Sequence, residues 1–229
     1  MIEDLLPDSV VVVESYGDDE ADQGPLHPEE QAVIARAVVK RRREFTAVRT
    51  CARRAMEKLG VPPQPILPGE RGAPHWPDGV LGSMTHCDGY RAAALARATD
   101  LASLGIDAEP HGPLPEGVLL SIALPAEQRR LAALAARQPE VHWDRLLFSA
   151  KESVYKAWFP LTGKWLDFEE ADIEIHADRT EPGVAPHGRF RAELLVEGPL
   201  VGNRRVEYFE GRWIARQGLV ATAVAIPPS

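Results

Sequence analysis

The sequence predicts an α+β fold built from two similar halves related by a pseudo-twofold axis. Segments typical of helices alternate with segments typical of strands. Residues 27–35 and 124–132 share Pro, Glu, Gln and Ala in register, and residues 82–96 and 211–225 share two Gly and three Ala. Two copies indicate a duplicated supersecondary unit, because a solenoid would need more repeats.

The first half begins with one strand and a helical region. The β-branched run at 9–17 ends in a turn and predicts a buried strand. Residues 26–60 begin with Pro and acidic residues and end on Gly60, which predicts one bent helix or two. Residues 61–79 are rich in Pro and Gly and predict a loop.

Three strands are predicted next, the first two joined by a Cys-Asp-Gly hairpin turn: residues 80–86, 90–97 and 101–109. Residues 110–117 carry three Pro and two Gly and interrupt the pattern. We therefore place the boundary there, between an N-terminal half of residues 1–109 and a C-terminal half of residues 110–229.

The second half repeats the order of helix and strands. A helical region is predicted from about 125 to 159, and residues 176–188 predict a mobile loop. The end of the chain is β-rich, with three predicted strand regions: residues 189–198, 205–216 and 219–227.

Composition restricts the classes of function. The 229 residues carry a formal net charge of −8, which disfavours a sequence-independent grip on nucleic acid. Two cysteines are too few for a disulfide framework. The N-terminal segment lacks a basic signal-peptide region, and the sequence has no apolar run long enough for a membrane span. We therefore expect a cytoplasmic protein that binds neither membrane nor nucleic acid.

Two carboxylates end the third predicted strand. Asp107 and Glu109 are two residues apart, so in a strand they project to the same face. Neighbouring carboxylates repel each other unless a cation neutralises them, and Mg²⁺ prefers such hard oxygen ligands. The alternative is a solvated strand end, which is common. This pair alone does not decide between the two interpretations.

The segment Phe-Ser-Ala-Lys-Glu-Ser-Val-Tyr-Lys-Ala-Trp-Phe at 148–159 adds a third acid. We expect Lys151, Glu152 and Lys156 to share one sector of a helix. Glu152 would then supply another metal ligand, with two cations for phosphate oxygens. The alternative is a solvated Glu152–Lys156 ion pair that contributes about 0.2–0.5 kcal/mol.

Two basic features could contact phosphate. His86 ends a predicted strand and aligns with Ala215 of the second copy, so the duplicated fold alone does not require an imidazole there. Residues 40–49 form the dense basic cluster of an acidic chain, and Arg41 and Arg49 could donate in pairs to phosphate. A solvated helix face is the alternative.

Four segments together resemble one family: residues 72–79 (GAPHWPDG), 82–90 (GSMTHCDGY), 105–110 (GIDAEP) and 148–159 (FSAKESVYKAWF). In this order and spacing they are similar to the larger, surfactin-type class of 4′-phosphopantetheinyl transferases, including its enterobactin-type and actinobacterial branch. The resemblance implies a monomer whose two α/β halves form a pseudo-dimer. It also implies transfer of phosphopantetheine from coenzyme A to a serine of an apo acyl or peptidyl carrier protein, with release of 3′,5′-ADP.

The resemblance also implies roles for individual residues. The metal ligands would be Asp107, Glu109 and Glu152, with Mg²⁺ the expected ion and Mn²⁺ a substitute in vitro. Glu152 would be the general base, with Asp107 and Lys156 completing the catalytic set. Contacts to coenzyme A would come from seven side chains: Arg41, Arg49, Arg71, Thr85, His86, Lys151 and Lys156.

Two other classes of function fit parts of the pattern. A metal-dependent phosphodiesterase or nuclease also combines acids and lysine around Mg²⁺, and it predicts a basic groove and a strand-borne Glu-x-Lys. A non-enzymatic acidic interaction module predicts no Mg²⁺-dependent binding of coenzyme A. The pathway of the carrier, whether fatty-acid, polyketide, nonribosomal peptide or siderophore biosynthesis, is left open.

Overall fold

A computed structural model describes residues 1–17, 24–179, 181 and 183–228, and its α+β architecture confirms the predicted class. The helices are α1 (Pro28–Val33), α2 (Val39–Lys58), α3 (Val118–Ile122), α4 (Pro125–Arg137) and α5 (Trp143–Thr162). The strands are β1 (Val11–Tyr16), β2 (Val80–Cys87), β3 (Tyr90–Arg97), β4 (Ser103–Pro110), β5 (Ala171–Ala177), β6 (His187–Leu194), β7 (Leu200–Val201), β8 (Arg204–Arg205), β9 (Tyr208–Arg216) and β10 (Leu219–Ile226).

The strands form two main sheets and a small hairpin. One sheet has the order β1-β3-β2, and the other has the order β4-β10-β9-β6-β5. Strands β7 and β8 pair separately, and every pairing is antiparallel. The predicted hairpin between β2 and β3 is confirmed.

Each main sheet is covered by one long helix. Helix α2 packs Cys51, Ala52 and Met56 on Val13 and Leu95 of the three-stranded sheet. The predicted helical region of the first half forms two helices, because the chain leaves helical geometry at the C-cap of α1 and α2 starts only at Val39.

In the second half, α5 packs a row of apolar side chains on the five-stranded sheet. Leu147, Val154 and Trp158 lie in one core with Trp213 and Val224. The predicted helical region is interrupted between α4 and α5 at residues 138–142. These two layers place α5 directly above β4, the strand that carries the two acids.

The two sheets meet where β2 lies beside β4, through side-chain rather than main-chain hydrogen bonds. The Ser83 hydroxyl accepts from the Ile106 N–H at 3.1 Å, and the Thr85 hydroxyl accepts from the Ala108 N–H at 3.1 Å. We call this contact the β2–β4 seam. Asp107 lies between the two donors and is therefore held at the junction of the halves.

The two halves share local features that support the predicted duplication. The hairpins β2–β3 and β9–β10 both turn through a glycine in the left-handed region, Gly89 at φ 76° and Gly218 at φ 75°. Helices α1 and α4 both begin with proline and carry a buried glutamate three residues after the N-cap, Glu30 and Glu127. The duplication itself stays an inference from these matches.

The predicted boundary at 109/110 also stays a prediction. Strand β4, on its N-terminal side, pairs with β10 of the C-terminal half. The predicted loop at 176–188 overlaps the end of β5 and the start of β6, and residues 180 and 182 lie outside the described residues. None of the described helices combines the length and apolar character that crossing a membrane requires.

Candidate active site

Asp107 is the best-defined member of the site. It lies on β4 opposite Thr222 of β10 and is almost fully buried. Its Oδ1 accepts from the Lys156 ammonium at 2.8 Å and from the Thr85 hydroxyl at 3.4 Å. Its Oδ2 is buried and has no hydrogen-bond partner among the described residues. A buried carboxylate oxygen without a partner is costly, so this atom calls for a ligand.

Helix α5 brings Lys156 and Glu152 to this strand. The Lys156 ammonium also donates to the Ile106 carbonyl at 3.1 Å. Glu152 lies one helical turn earlier, on the same side of α5. Burial raises the pKa of Glu152, the charge of Asp107 raises it further, and the Lys156 ammonium opposes both. Glu152 is therefore a carboxylate that takes up a proton more readily than an exposed one.

Glu109 lies two residues beyond Asp107 on the same face of β4, as predicted. Burial and the charge of Asp107 raise its pKa, and the Arg145 guanidinium lowers it. Arg145, in the first turn of α5, donates to Glu109 Oε2 at 3.1 Å and also to the Gly112 and Pro113 carbonyls. Arg145 therefore ties Glu109 to the segment that connects the halves.

The fit of these acids to a divalent cation is partial. Glu109 and Glu152 are each electrostatically coupled to Asp107, and Asp107 Oδ2 is free to act as a ligand. Yet the described residues hold no group of three or more His, Cys, Asp or Glu side chains already arranged to bind a metal. Glu109 is instead held in an ion pair with Arg145. The donor chemistry fits Mg²⁺, and the predicted triad is not closed.

A cleft of about 390 Å³ opens beside these acids, between α2, β2, α5 and the loop before β2. Six of the predicted site residues line it: Arg41, Arg49, Arg71, His86, Glu152 and Lys156. It also contains the aromatic side chains Phe45, Trp76, Tyr155 and Phe159. The cleft therefore combines cations from both halves with apolar walls, which suits an anionic ligand with an apolar portion.

His86 and Arg41 meet at one wall of the cleft. Their side chains approach to 3.2 Å, and Glu44 Oε2 lies 3.5 Å from His86 Nε2. Burial lowers the pKa of His86; Glu44 opposes this shift, whereas Arg41 and Lys156 add to it. A neutral imidazole beside two cations can donate one hydrogen bond without adding charge.

Two other arginines are held differently. Arg49 is buried: its Nε donates to the Ile66 carbonyl at 2.9 Å, and its guanidinium carbon lies 3.2 Å above the Phe45 ring. Burial lowers its pKa to about 10, and the charge of Glu30 opposes that shift. Arg71 is exposed, adopts φ 54°, and places its guanidinium 5.5 Å from the Trp165 ring centroid.

Four of the predicted site residues are not in the cleft lining: Asp107, Glu109, Thr85 and Lys151. Thr85 uses its hydroxyl in the β2–β4 seam and on Asp107. Lys151 is buried against α4 and β5, bound to Glu127 and two carbonyl oxygens. The expectation that Lys151 and Lys156 share a helix sector is wrong, because five residues at 3.6 per turn separate them by about 140°.

Several residues of the site escaped the sequence analysis. Arg145 had no motif to mark it, since its role depends on the Glu109 contact formed in the fold. Glu44 lies inside the basic cluster, where the sequence alone does not distinguish it from any other charged residue on the surface of a helix. Trp76 was within a quoted motif, and its indole donates to the Gly82 carbonyl at 3.0 Å, which fixes one wall.

A larger groove lies elsewhere among the described residues. A groove of about 870 Å³ is lined by Leu5, Leu6, Arg189, Arg191 and Arg212 among others, and shares none of its lining residues with the cleft. Its shape is open and its arginines are exposed. Glu152 and Lys156, which contacts Asp107, lie at the smaller cleft and not at this groove.

One buried and two half-buried acids beside a cleft lined by arginine, lysine and histidine suit an enzyme that acts on a phosphate anhydride. Comparison with known families agrees. Residues 29–96 match the 4′-phosphopantetheinyl transferase N-terminal domain, and residues 103–196 match the 4′-phosphopantetheinyl transferase superfamily.

Relatives align along the whole chain. It is 60% identical over 227 residues to 4′-phosphopantetheinyl transferase Svp of Streptomyces mobaraensis, covering 99% of this chain and 89% of that protein. It is 47% identical over 229 residues to 4′-phosphopantetheinyl transferase PptT of Mycobacterium tuberculosis, covering 99% and 98%. It is 35% identical over 175 residues to enterobactin synthase component D of Escherichia coli O157:H7, covering 72% and 80%.

The chain therefore belongs to the 4′-phosphopantetheinyl transferase superfamily, and the resemblance found in the four motifs is confirmed. It is an enzyme that transfers the phosphopantetheine group to carrier proteins. Members of this family take that group from coenzyme A and use a divalent metal.

Proposed function

We propose that the cleft binds coenzyme A with its pyrophosphate near Lys156 and His86, and that the adjacent acids hold Mg²⁺. The observation that carries this proposal is the buried Oδ2 of Asp107, which has no partner among the described residues and lies on the carboxylate that Lys156 orients. Negative charge at this place requires a cation beyond Lys156.

The ligands of the ion would be Asp107, Glu109 and Glu152. Glu109 would join when its carboxylate exchanges part of the Arg145 ion pair for the cation. The raised pKa values of Glu109 and Glu152 support this set, because both acids are destabilised as bare anions. When bound, Mg²⁺ neutralises pyrophosphate charge and aligns its oxygens for in-line displacement, with Mn²⁺ as an in vitro substitute.

The reaction moves one proton and breaks one P–O bond. The serine oxygen of the carrier attacks the phosphorus on the pantetheine side, and the bond to the other phosphate of the anhydride breaks, releasing 3′,5′-ADP. Glu152, whose pKa is raised, takes the serine proton directly or through a water. Lys156 and Arg41 offset the charge that develops on the leaving phosphate, and His86 donates a hydrogen bond to it.

The remaining cations have positioning roles in this proposal. Arg49 lines the cleft, while its Nε donates to the Ile66 carbonyl and its guanidinium stacks on the Phe45 ring. Arg71 stands at the rim on the α5 side, near Trp165. Both are placed to contact the phosphates of a ligand that spans the two halves.

The partner is an apo acyl or peptidyl carrier protein, encountered in the cytoplasm by a monomeric enzyme. The name of the enterobactin relative favours a carrier protein of siderophore synthesis, and carriers of polyketide or peptide synthesis are the alternatives. A monomer is consistent with two halves that already meet through the β2–β4 seam within one chain.

The test is to mix the protein with coenzyme A, Mg²⁺ and an apo carrier, and to weigh the carrier by mass spectrometry. The expected result is one phosphopantetheine mass added per carrier, abolished by chelator and by Asp107→Ala. Circular dichroism of Asp107→Ala controls for folding. Transfer that survives Asp107→Ala would contradict the metal assignment, and no mass gain with several carrier types would contradict the function.

The rival interpretations give different results in the same assay. A nuclease would degrade nucleic acid and leave the carrier mass unchanged, and its strand-borne Glu-x-Lys has no counterpart in Glu152 and Lys156, which lie four apart on a helix. An interaction module would show no Mg²⁺-dependent binding of coenzyme A, which calorimetry measures directly.

A further inference from the structure

The two lysines of the 148–159 motif have different surroundings. Lys156 lines the cleft and reaches Asp107. Lys151 is buried, with 3% of its side chain exposed. Its ammonium lies 3.0 Å from Glu127 Oε1 and donates to the carbonyl oxygens of Phe168 and Ala171. The position of Lys151 in the motif therefore does not predict the environment of its side chain.

These three contacts use the whole donor capacity of the ammonium. A lysine has three N–H donors and no acceptor, and Lys151 has one carboxylate and two carbonyl oxygens around it. Burial lowers its pKa and Glu127 opposes the shift. A phosphate could bind Lys151 only by displacing one of these buried acceptors, which would leave that acceptor unpaired.

Glu127 links three elements of the second half. Its carboxylate caps α4 by accepting from the Leu124 N–H at 2.7 Å and accepts from the Ile173 N–H of β5 at 2.7 Å. With Lys151 it therefore joins α4 and β5 to α5. Lys151 and Glu152 are neighbours on α5, so this cluster anchors the helix at the turn that carries Glu152.

The first half contains an independent counterpart. Glu30 caps α1 by accepting from the His27 N–H at 3.0 Å, accepts from the Ile66 N–H at 2.9 Å, and binds Arg53 of α2 at 2.9 Å. A buried glutamate thus bonds a helix cap, a following main-chain N–H and a cation of the long helix in both halves. Glu30 also lies 3.8 Å from Arg49 Nε of α2, so in both halves a buried glutamate anchors the long helix that borders the cleft.

We infer that Lys151 is a positioning residue, held by Glu127 to orient Glu152, and that it does not contact coenzyme A. This inference rests on the proposed function of the cleft. It revises the role that the motif implies for Lys151 and adds Glu127, which no motif marks. It predicts separate effects on catalysis and on binding of coenzyme A.

The experiment compares Lys151→Met, Glu127→Gln, the double variant and Lys156→Met as matched control. We expect Lys151→Met to lower kcat about 10- to 100-fold, because Glu152 shifts, while the Kd for coenzyme A stays within about threefold. Lys156→Met should instead weaken coenzyme A binding by about tenfold or more. Calorimetry gives Kd, and carrier mass gives kcat.

Thermal unfolding without coenzyme A tests the cluster itself. Both single variants should lower the Tm, and the double variant should lower it by less than the sum, because no buried charge is left unpaired. Glu127→Gln, which keeps an acceptor, serves for kinetics if Lys151→Met does not fold. Because this cycle needs no substrate, it shows whether Lys151 and Glu127 are coupled even if the protein transfers no phosphopantetheine.

Three results would overturn the inference. Additive Tm changes would show that Lys151 and Glu127 are not coupled. A Lys151→Met variant with full kcat and a Kd raised about tenfold would place Lys151 on the coenzyme. A variant with unchanged Tm and unchanged kinetics would show that the cluster positions nothing.

Discussion

Gly105→Ala tests how closely α5 must lie on β4. A Cβ at Gly105 would stand 2.0 Å from the Ser153 carbonyl oxygen and 2.7 Å from the Ala157 backbone nitrogen. Real Cβ atoms essentially never come within 3.0 Å of a non-bonded heavy atom of another residue, and both of these atoms belong to the main chain of α5, which cannot rotate away as a side chain can. The helix must therefore retreat by about 1 Å, and the Lys156–Asp107 contact of 2.8 Å moves with it.

Such overpacking costs about 1–3 kcal/mol of stability, which for a chain of this size lowers the Tm by roughly 2–12 °C. A displacement of this size between catalytic groups costs about 100-fold in rate. We expect both losses in Gly105→Ala, measured by thermal unfolding and by the carrier mass assay. The rate should be measured well below the new Tm, so that the two losses are separated.

Gly112→Ala is the matched control. Gly112 has open space around its Cβ position, with no atom within 4 Å. Its Tm and transfer rate should match those of the unsubstituted protein. If Gly105→Ala also matched the control in both measurements, the close contact of α5 with β4 would not be what aligns the site.

Three further predictions concern the acids and the seam. Glu152→Gln should raise the Tm at neutral pH in the presence of a chelator. The pKa of Glu152 is raised in the folded protein, so stability is lost as the pH rises through that pKa, and glutamine, which does not ionise, avoids this loss. The variant should also reduce the Tm gain from Mg²⁺, because it removes a proposed ligand. The acid limb of the transfer rate should lie above the ordinary carboxyl range, and Lys156→Met should move it higher, since Lys156 lowers the pKa of Glu152; a pH–rate profile measures this. Thr85→Val should lower the free energy of unfolding by about 1–3 kcal/mol, because the Ala108 N–H loses its acceptor. Thr85→Ser keeps the hydroxyl and should not lower it, and denaturant unfolding measures both variants.

The sequence predicted the elements because their signals are local. The β-branched run at 9–17, the Cys-Asp-Gly turn and the Pro at 28 depend on neighbouring residues, and each is found where expected. The strand spacing of Asp107 and Glu109 likewise fixes a common face without knowledge of the fold. The resemblance placed Asp107 and Lys156 in one catalytic set, and the two side chains are in contact in the structure.

The roles of individual cations could not be predicted in the same way. Whether a lysine faces a cleft or a buried glutamate depends on which elements pack on its side of the helix, as Lys151 demonstrates. Arg145 presents the converse case, an unremarkable helix residue that the fold sets against Glu109. The helical period alone puts Lys151 and Lys156 on different sides of α5, but long-range packing decides which side borders the cleft.

The pairing of β4 with β10 has a consequence for dividing the chain. A cut at residues 98–102 leaves the three-stranded sheet in one fragment and the five-stranded sheet in the other, with Asp107 and Glu109 in the second. A cut at residues 110–117 would instead strip the edge strand from the larger sheet. Fragments made at the first position and mixed would regain transfer only when β2 again lies beside β4, because the cleft is lined by residues of both fragments, so enzymatic activity would itself report reassembly.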